Sequence, residues 1–125
     1  MTAKNSILII DDEPALLSAL VDKFTRAGFL VTSAVNGQAG LQAALQHKPD
    51  MILLDIIMPV MDGITMLAKL RKDPWGRQVK VILLTNLSDP GIIAESVTKT
   101  VSGYLVKSDW KLEDLVKQVT RKLAD

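Results

Sequence analysis

At 125 residues, 48% of them apolar, the chain suits one domain with a real core, so neither disorder nor a disulfide-stapled miniature is expected. Fifteen basic against fourteen acidic residues leave a net charge of +1 without a Lys/Arg cluster, which argues against direct nucleic-acid binding. Cysteine is absent, the first residues lack a signal-peptide pattern, and no apolar run could span a bilayer; a soluble cytoplasmic protein with no membrane partner is expected.

Short apolar runs alternate with helical periodicity, the pattern of βα units around a parallel sheet. The first strand is Ile7 to Ile10. Pro14 suits a first helical turn, and Leu16, Leu17, Leu20, Val21 and Phe24 recur at helical spacing until Gly28. A second strand covers about Leu30 to Ala34. Asn36-Gly37 then turns into a second helix with Leu41, Ala44 and Leu45 inward, ended by Lys48-Pro49-Asp50. The third strand, Met51 to Leu54, leads through a loop holding Pro59 to a helix from about Gly63 to Lys72. Ile64, Leu67 and Leu70 face inward there, and Asp73-Pro74 stops it. The fourth strand is Val79 to Leu84, and Ser88-Asp89-Pro90 starts a fourth helix carried by Ile93 and Val97. A fifth strand, Tyr104 to Val106, is followed by a helix capped by Ser108 or Asp109, with Leu112, Leu115, Val116, Val119 and Leu123 inward. Trp75 and Trp110 read as lids over the core, with contact anchors as the alternative. Residues 1–125 are expected to be a single domain, with no output domain in the chain.

Five βα units with right-handed crossovers make a doubly wound α/β sandwich, whose ligands sit at the carboxyl ends of the strands. Two strands end there in acid: the first in Asp11-Asp12-Glu13, the third in the lone Asp55. Taken alone, an Asp at a strand end does no more than start a turn.

The run from Asp55 through Ile56, Ile57, Met58, Pro59, Val60, Met61 and Asp62 to Gly63 resembles the phosphoacceptor segment of response-regulator receiver domains, the partners of sensor histidine kinases. Asp11-Asp12, Leu84-Thr85 and the stretch Gly103-Tyr104-Leu105-Val106-Lys107 extend the likeness over essentially the whole chain. The resemblance implies a flavodoxin-like (βα)5 three-layer sandwich whose parallel five-stranded sheet has the order 2-1-3-4-5. That order makes the first and third strands neighbours and gathers Asp11, Asp12 and Asp55.

Three carboxylates in one pocket raise their collective proton affinity unless a cation sits among them. Without cysteine, and with the only histidine, His47, at the end of the second helix, an oxygen-only set favours a hard divalent ion, Mg²⁺ or Mn²⁺. The plainer alternative is a solvated acidic rim. Thr85 and Lys107, from the ends of the fourth and fifth strands, read beside that pocket as a hydroxyl donor and a point charge for a phosphoryl group. The resemblance assigns the roles. Asp55 is the phosphoacceptor nucleophile; Asp11, Asp12, Asp55 and the backbone carbonyl of Ile57 hold the metal; Thr85 and Lys107 contact phosphoryl oxygens. Thr85 and Tyr104 form the switch, which alters the face made by the fourth helix, the fifth strand and the fifth helix; read without the resemblance, Tyr104 is equally an amphipathic ring covering the sheet edge. It implies a phosphoprotein that hydrolyses its own acyl phosphate and is not a turnover enzyme. Its partners would be a sensor histidine kinase or histidine phosphotransfer protein and a downstream target or fused output domain, with room for a phosphorylation-dependent homodimer.

The chain departs from the family pattern at Asn86, where a small residue is usual, and at Ser108, where a cis proline is usual. Thr100-Val101 replaces a small Gly-Ala pair. The positions that flank the line of attack of a hydrolytic water in the family are here Ile57 and Leu87, both apolar, which implies a long-lived phosphorylated state. Three rivals are weaker. A haloacid-dehalogenase-type phosphatase places its nucleophile in a D-x-D pattern after the first strand. A flavodoxin-type carrier needs a phosphate loop where Asp11-Asp12-Glu13 would repel phosphate. A pseudo-receiver that is never phosphorylated is hard to reconcile with the intact residue set.

Overall fold

The structure, a computed structural model, describes residues 5–85, 100–107 and 111–124. The expected fourth helix with Ile93 and Val97 lies outside the described residues, as do Asn86, Leu87, Ser108, Asp109 and Trp110. The described elements are β1 (Ser6–Ile10), α1 (Pro14–Arg26), β2 (Leu30–Ala34), α2 (Gly37–His47), β3 (Met51–Asp55), α3 (Gly63–Leu70), β4 (Lys80–Thr85), β5 (Gly103–Val106) and α4 (Leu112–Ala124), the last helix expected from the sequence; strands and helices alternate as far as β4. The strands form one parallel sheet in the order β2-β1-β3-β4-β5, the expected doubly wound arrangement. Among the described residues no helix is long and apolar enough to cross a membrane.

The inner strands are apolar on both sides because both faces of the sheet are covered. The period-2 pleat divides β1 and β3 between two cores. Ile7, Ile9 and Leu53 pack with Leu20 and Phe24 of α1 and with Leu115 and Val119 of α4. Leu8, Ile10, Ile52 and Leu54 pack with Ala44 of α2 and with Met66, Leu67 and Leu70 of α3. β2, at the edge, buries only Ala34.

The inward stripe of α2 differs from the expected one. Ala44 is buried and Leu41 packs partly, but Leu45 is exposed. Gly37 and Gly40 occupy the inward face, because the helix lies so close to its neighbours. A Cβ on Gly37 would stand 2.3 Å from the Met61 carbonyl oxygen, and one on Gly40 2.5 Å from Ile10 Cδ1.

α3 ends at Leu70, short of the expected Lys72, and Arg71 takes the C-cap. Its half-buried guanidinium donates to the carbonyls of Gly76 and Val79, both at 2.8 Å, and to that of Thr100, tying the crossover into β4 to the residues that lead into β5. Burial lowers the Arg71 pKa below the usual arginine value. Trp75, in the same crossover, packs partly buried against the core on the α2–α3 side, as a lid would.

Candidate functional site

Strand register brings the site together. Ile10 pairs with Leu54, so the next residues, Asp11 and Asp55, lie side by side at the carboxyl edge. Asp55 pairs with Leu84 and Thr85 with Val106, which sets Thr85 and then Lys107 along the same edge. Asp11, Asp55 and Thr85 are the polar residues buried among those described.

Asp11 Oδ1 accepts a hydrogen bond from the Glu13 amide at 2.8 Å. Its Oδ2 is buried, accepts no aligned hydrogen bond, and faces Lys107 Nζ at 2.8 Å. Lys107 Nζ also lies 3.4 Å from Asp55 Oδ1 and donates to Glu13 Oε1 at 3.1 Å. One oxygen each from Asp11, Asp12 and Asp55 falls within 4.8 Å of the others. That donor set fits a hard divalent cation: carboxylate oxygens only, close enough together to share one ion.

Burial, then the charge of Asp11, raises the Asp55 pKa from 3.8 to about 7 against the opposing pull of Lys107; the nearby Asp12 carboxyl also raises it. Burial works to lower the Lys107 pKa, but Asp11, Asp55 and Glu13 outweigh it and hold the ammonium above the usual lysine value.

The loop from β3 to α3 is pinned at both ends. The Gly63 amide donates to the Ile56 carbonyl at 2.7 Å, and a Cβ on Gly63 would come 2.1 Å from the Asp55 carbonyl oxygen, so only glycine fits. Asp62 caps α3 by accepting from the Thr65 amide at 2.7 Å. Between them Val60 has φ +69°, inside a tight turn closed by the Met61 amide on the Pro59 carbonyl at 2.7 Å. The side chains of Ile57 and Val60 are exposed. Tyr104 is half-buried against the core on the α2–α3 side.

Thus Asp11, Asp12, Asp55 and Lys107 come together, with Thr85 on the same edge. Glu13, which joins Lys107 across 94 residues, was not among the expected site residues. One signal was available: a third acidic residue stands where a helix start normally carries a short capping side chain.

Residues 7–120 match the family model of the response regulator receiver domain. The chain is 37% identical over 117 residues to response regulator PleD of Caulobacter vibrioides, covering 92% of this chain and 26% of PleD. It is 36% identical over 116 residues to the DNA-binding dual master transcriptional regulator RpaA of Synechocystis, covering 90% of this chain and 46% of RpaA. The chain therefore spans between a quarter and a half of the length of these relatives. Among solved structures it is similar to chemotaxis response regulator CheY4 of Vibrio cholerae, with a TM-score of 0.85 and 25% identity over 96% of this chain and 99% of that one. It is also similar to response regulator TrrA of Thermotoga maritima in complex with Mg²⁺–BeF, with a TM-score of 0.81 and 27% identity over 94% and 98%. The phosphatase and flavin-carrier alternatives fall away with the family match. With the 2-1-3-4-5 sheet, the acidic cluster at its carboxyl edge and a match across residues 7–120, the chain belongs to the response regulator receiver domain family of two-component signalling.

Proposed function

We propose that the chain acts as one receiver domain that takes a phosphoryl group onto Asp55 from a phosphohistidine of a sensor kinase or histidine phosphotransfer protein. A carboxylate oxygen of Asp55 attacks phosphorus, the P–N bond breaks, and its electron pair returns to the imidazole of the donor. Asp11, Asp12, Asp55 and the Ile57 carbonyl would hold Mg²⁺ or Mn²⁺, as receiver domains do at such a cluster. A divalent ion there supplies positive charge against the crowded carboxylates and the incoming phosphoryl oxygens. Lys107 offers a second positive charge, and Thr85 a hydroxyl donor. Water later cleaves the acyl phosphate, so the protein resets itself and does not turn over an external substrate.

Signal output in this reading passes through Thr85 and Tyr104 to the face of the expected fourth helix, β5 and α4, as a shift in population between two packings. The receiving partner is a separate cytoplasmic protein, a second phosphorylated copy, or an output domain fused to the chain. The curated relatives that are transcriptional regulators support the fused form.

The observation that carries this proposal is the convergence of Asp11, Asp12 and Asp55 oxygens within 4.8 Å of one another, with Lys107 Nζ 3.4 Å from Asp55 Oδ1. After incubation with acetyl phosphate and Mg²⁺, peptide mapping should place a hydroxylamine-labile phosphate on Asp55. An acid- and base-stable phosphate, or one mapped to another residue, contradicts it.

A further inference from the structure

Glu13 stands at the N-cap of α1 with φ −85° and ψ 108°, yet its side chain makes no capping hydrogen bond. Good caps are Ser, Thr, Asp and Asn, whose short side chains reach the first helical N–H groups. The longer Glu13 carboxylate reaches the other way, across the mouth of the site, to Lys107 Nζ at 3.1 Å. The Lys107 side chain is only 6% exposed, and its other carboxylate neighbours, Asp11 at 2.8 Å and Asp55 at 3.4 Å, both belong to the acidic cluster that fits a cation. Glu13 lies outside that cluster.

A cation bound to Asp11 Oδ2 takes the atom that Lys107 now faces. Giving it up would strand a nearly buried ammonium unless another carboxylate keeps hold of it. Building on the divalent site proposed above, we infer that Glu13 is a positioning residue that anchors Lys107 at the rim of the site. Asp11 and Asp55 can then turn to the cation without leaving the ammonium unpaired or in competition for their oxygens. The N-cap of α1 is left weak in exchange for that anchor, a local rule broken at a functional site.

Two substitutions separate charge from reach. Glu13→Asp keeps the charge and is the better helix cap, but is one methylene shorter than the span to Lys107 needs. Glu13→Gln keeps the length and loses the charge. Isothermal titration of metal-free protein with Mg²⁺, beside melting curves in chelator, reads both consequences. Both variants should bind Mg²⁺ roughly three- to tenfold more weakly than wild type. Glu13→Asp should nevertheless melt about 2–5 °C higher in chelator, because α1 gains its cap. In a Lys107→Ala background Glu13→Asp should leave Mg²⁺ affinity unchanged. Wild-type affinity in Glu13→Asp overturns the inference, since charge alone would then matter, and so does an equal loss with and without Lys107. If Lys107→Ala does not fold, the Asp and Gln variants decide the matter alone. A wild type that binds no Mg²⁺ would instead refute the divalent site itself.

Discussion

Asp55 is a carboxylate held almost out of water, with a second carboxylate and an ammonium as its neighbours, and its pKa of about 7 records the imbalance. Because the folded value lies above the ordinary 3.8, the folded state keeps a proton that the unfolded chain releases, and raising the pH favours unfolding. The stability this group contributes is complete below the unfolded value and is lost as the pH rises through the folded one. In chelator the protein should therefore lose stability between about pH 4 and about pH 7, and Mg²⁺ should raise the melting temperature more at the upper end. Asp55→Asn should flatten the chelator profile. An Mg²⁺ shift equal at both ends, or an unchanged profile in Asp55→Asn, would contradict the assignment. Two residues on, the exposed Ile57 offers no hydrogen bond to a water aligned for attack on phosphorus. Orienting such a water is worth several kcal/mol of barrier in general, so Ile57→Asn should shorten the lifetime of the phosphorylated state several-fold. Equal or slower loss of phosphate in a dephosphorylation time course would remove Ile57 from control of that water.

At the scale of elements, the loop from β3 to α3 holds a backbone conflict. Val60 is β-branched and sits at φ +69°, where a side chain other than glycine costs about 1–2 kcal/mol. With 75% of the residue exposed, packing does not explain the valine. Asparagine tolerates that conformation far better, so Val60→Asn should stabilise the fold by about 1 kcal/mol, seen as a higher melting temperature. A variant that melts at or below wild type would show that the turn relaxes around valine without cost. Such conflicts mark the limit of what the sequence made legible. The strands were plain, because doubly buried parallel strands are continuous apolar runs, and β1, β3 and β4 came within a residue or two of their observed ends. The inward face of α2 was not, since periodicity rewards bulk while the close contact with Ile10 and Met61 rewards its absence. Arg71 escaped notice for a different reason. Its partners are backbone carbonyls in a crossover and before β5, and carbonyls carry no sequence signature.

Across the whole molecule, the sheet works as a ruler. All five parallel strands end at one edge, and the register carries Asp11, Asp55, Thr85 and Lys107 to it from four of them, at positions spread over most of the chain. Their gathering was legible in the sequence because each of those residues directly follows or ends an apolar strand, at the edge where open α/β sheets bind their ligands. Glu13 was harder to see, because its partner lies at the far end of the chain and its own position looks like a helix start. Whether this edge makes Asp55 a phosphoacceptor can be read from intact mass. Wild type and Asp55→Asn are incubated with acetyl phosphate, each with Mg²⁺ and with chelator. Wild type with Mg²⁺ should gain one phosphoryl group, and Asp55→Asn, or either protein in chelator, should gain none. Comparable phosphate on Asp55→Asn, or undiminished phosphorylation in chelator, would contradict it.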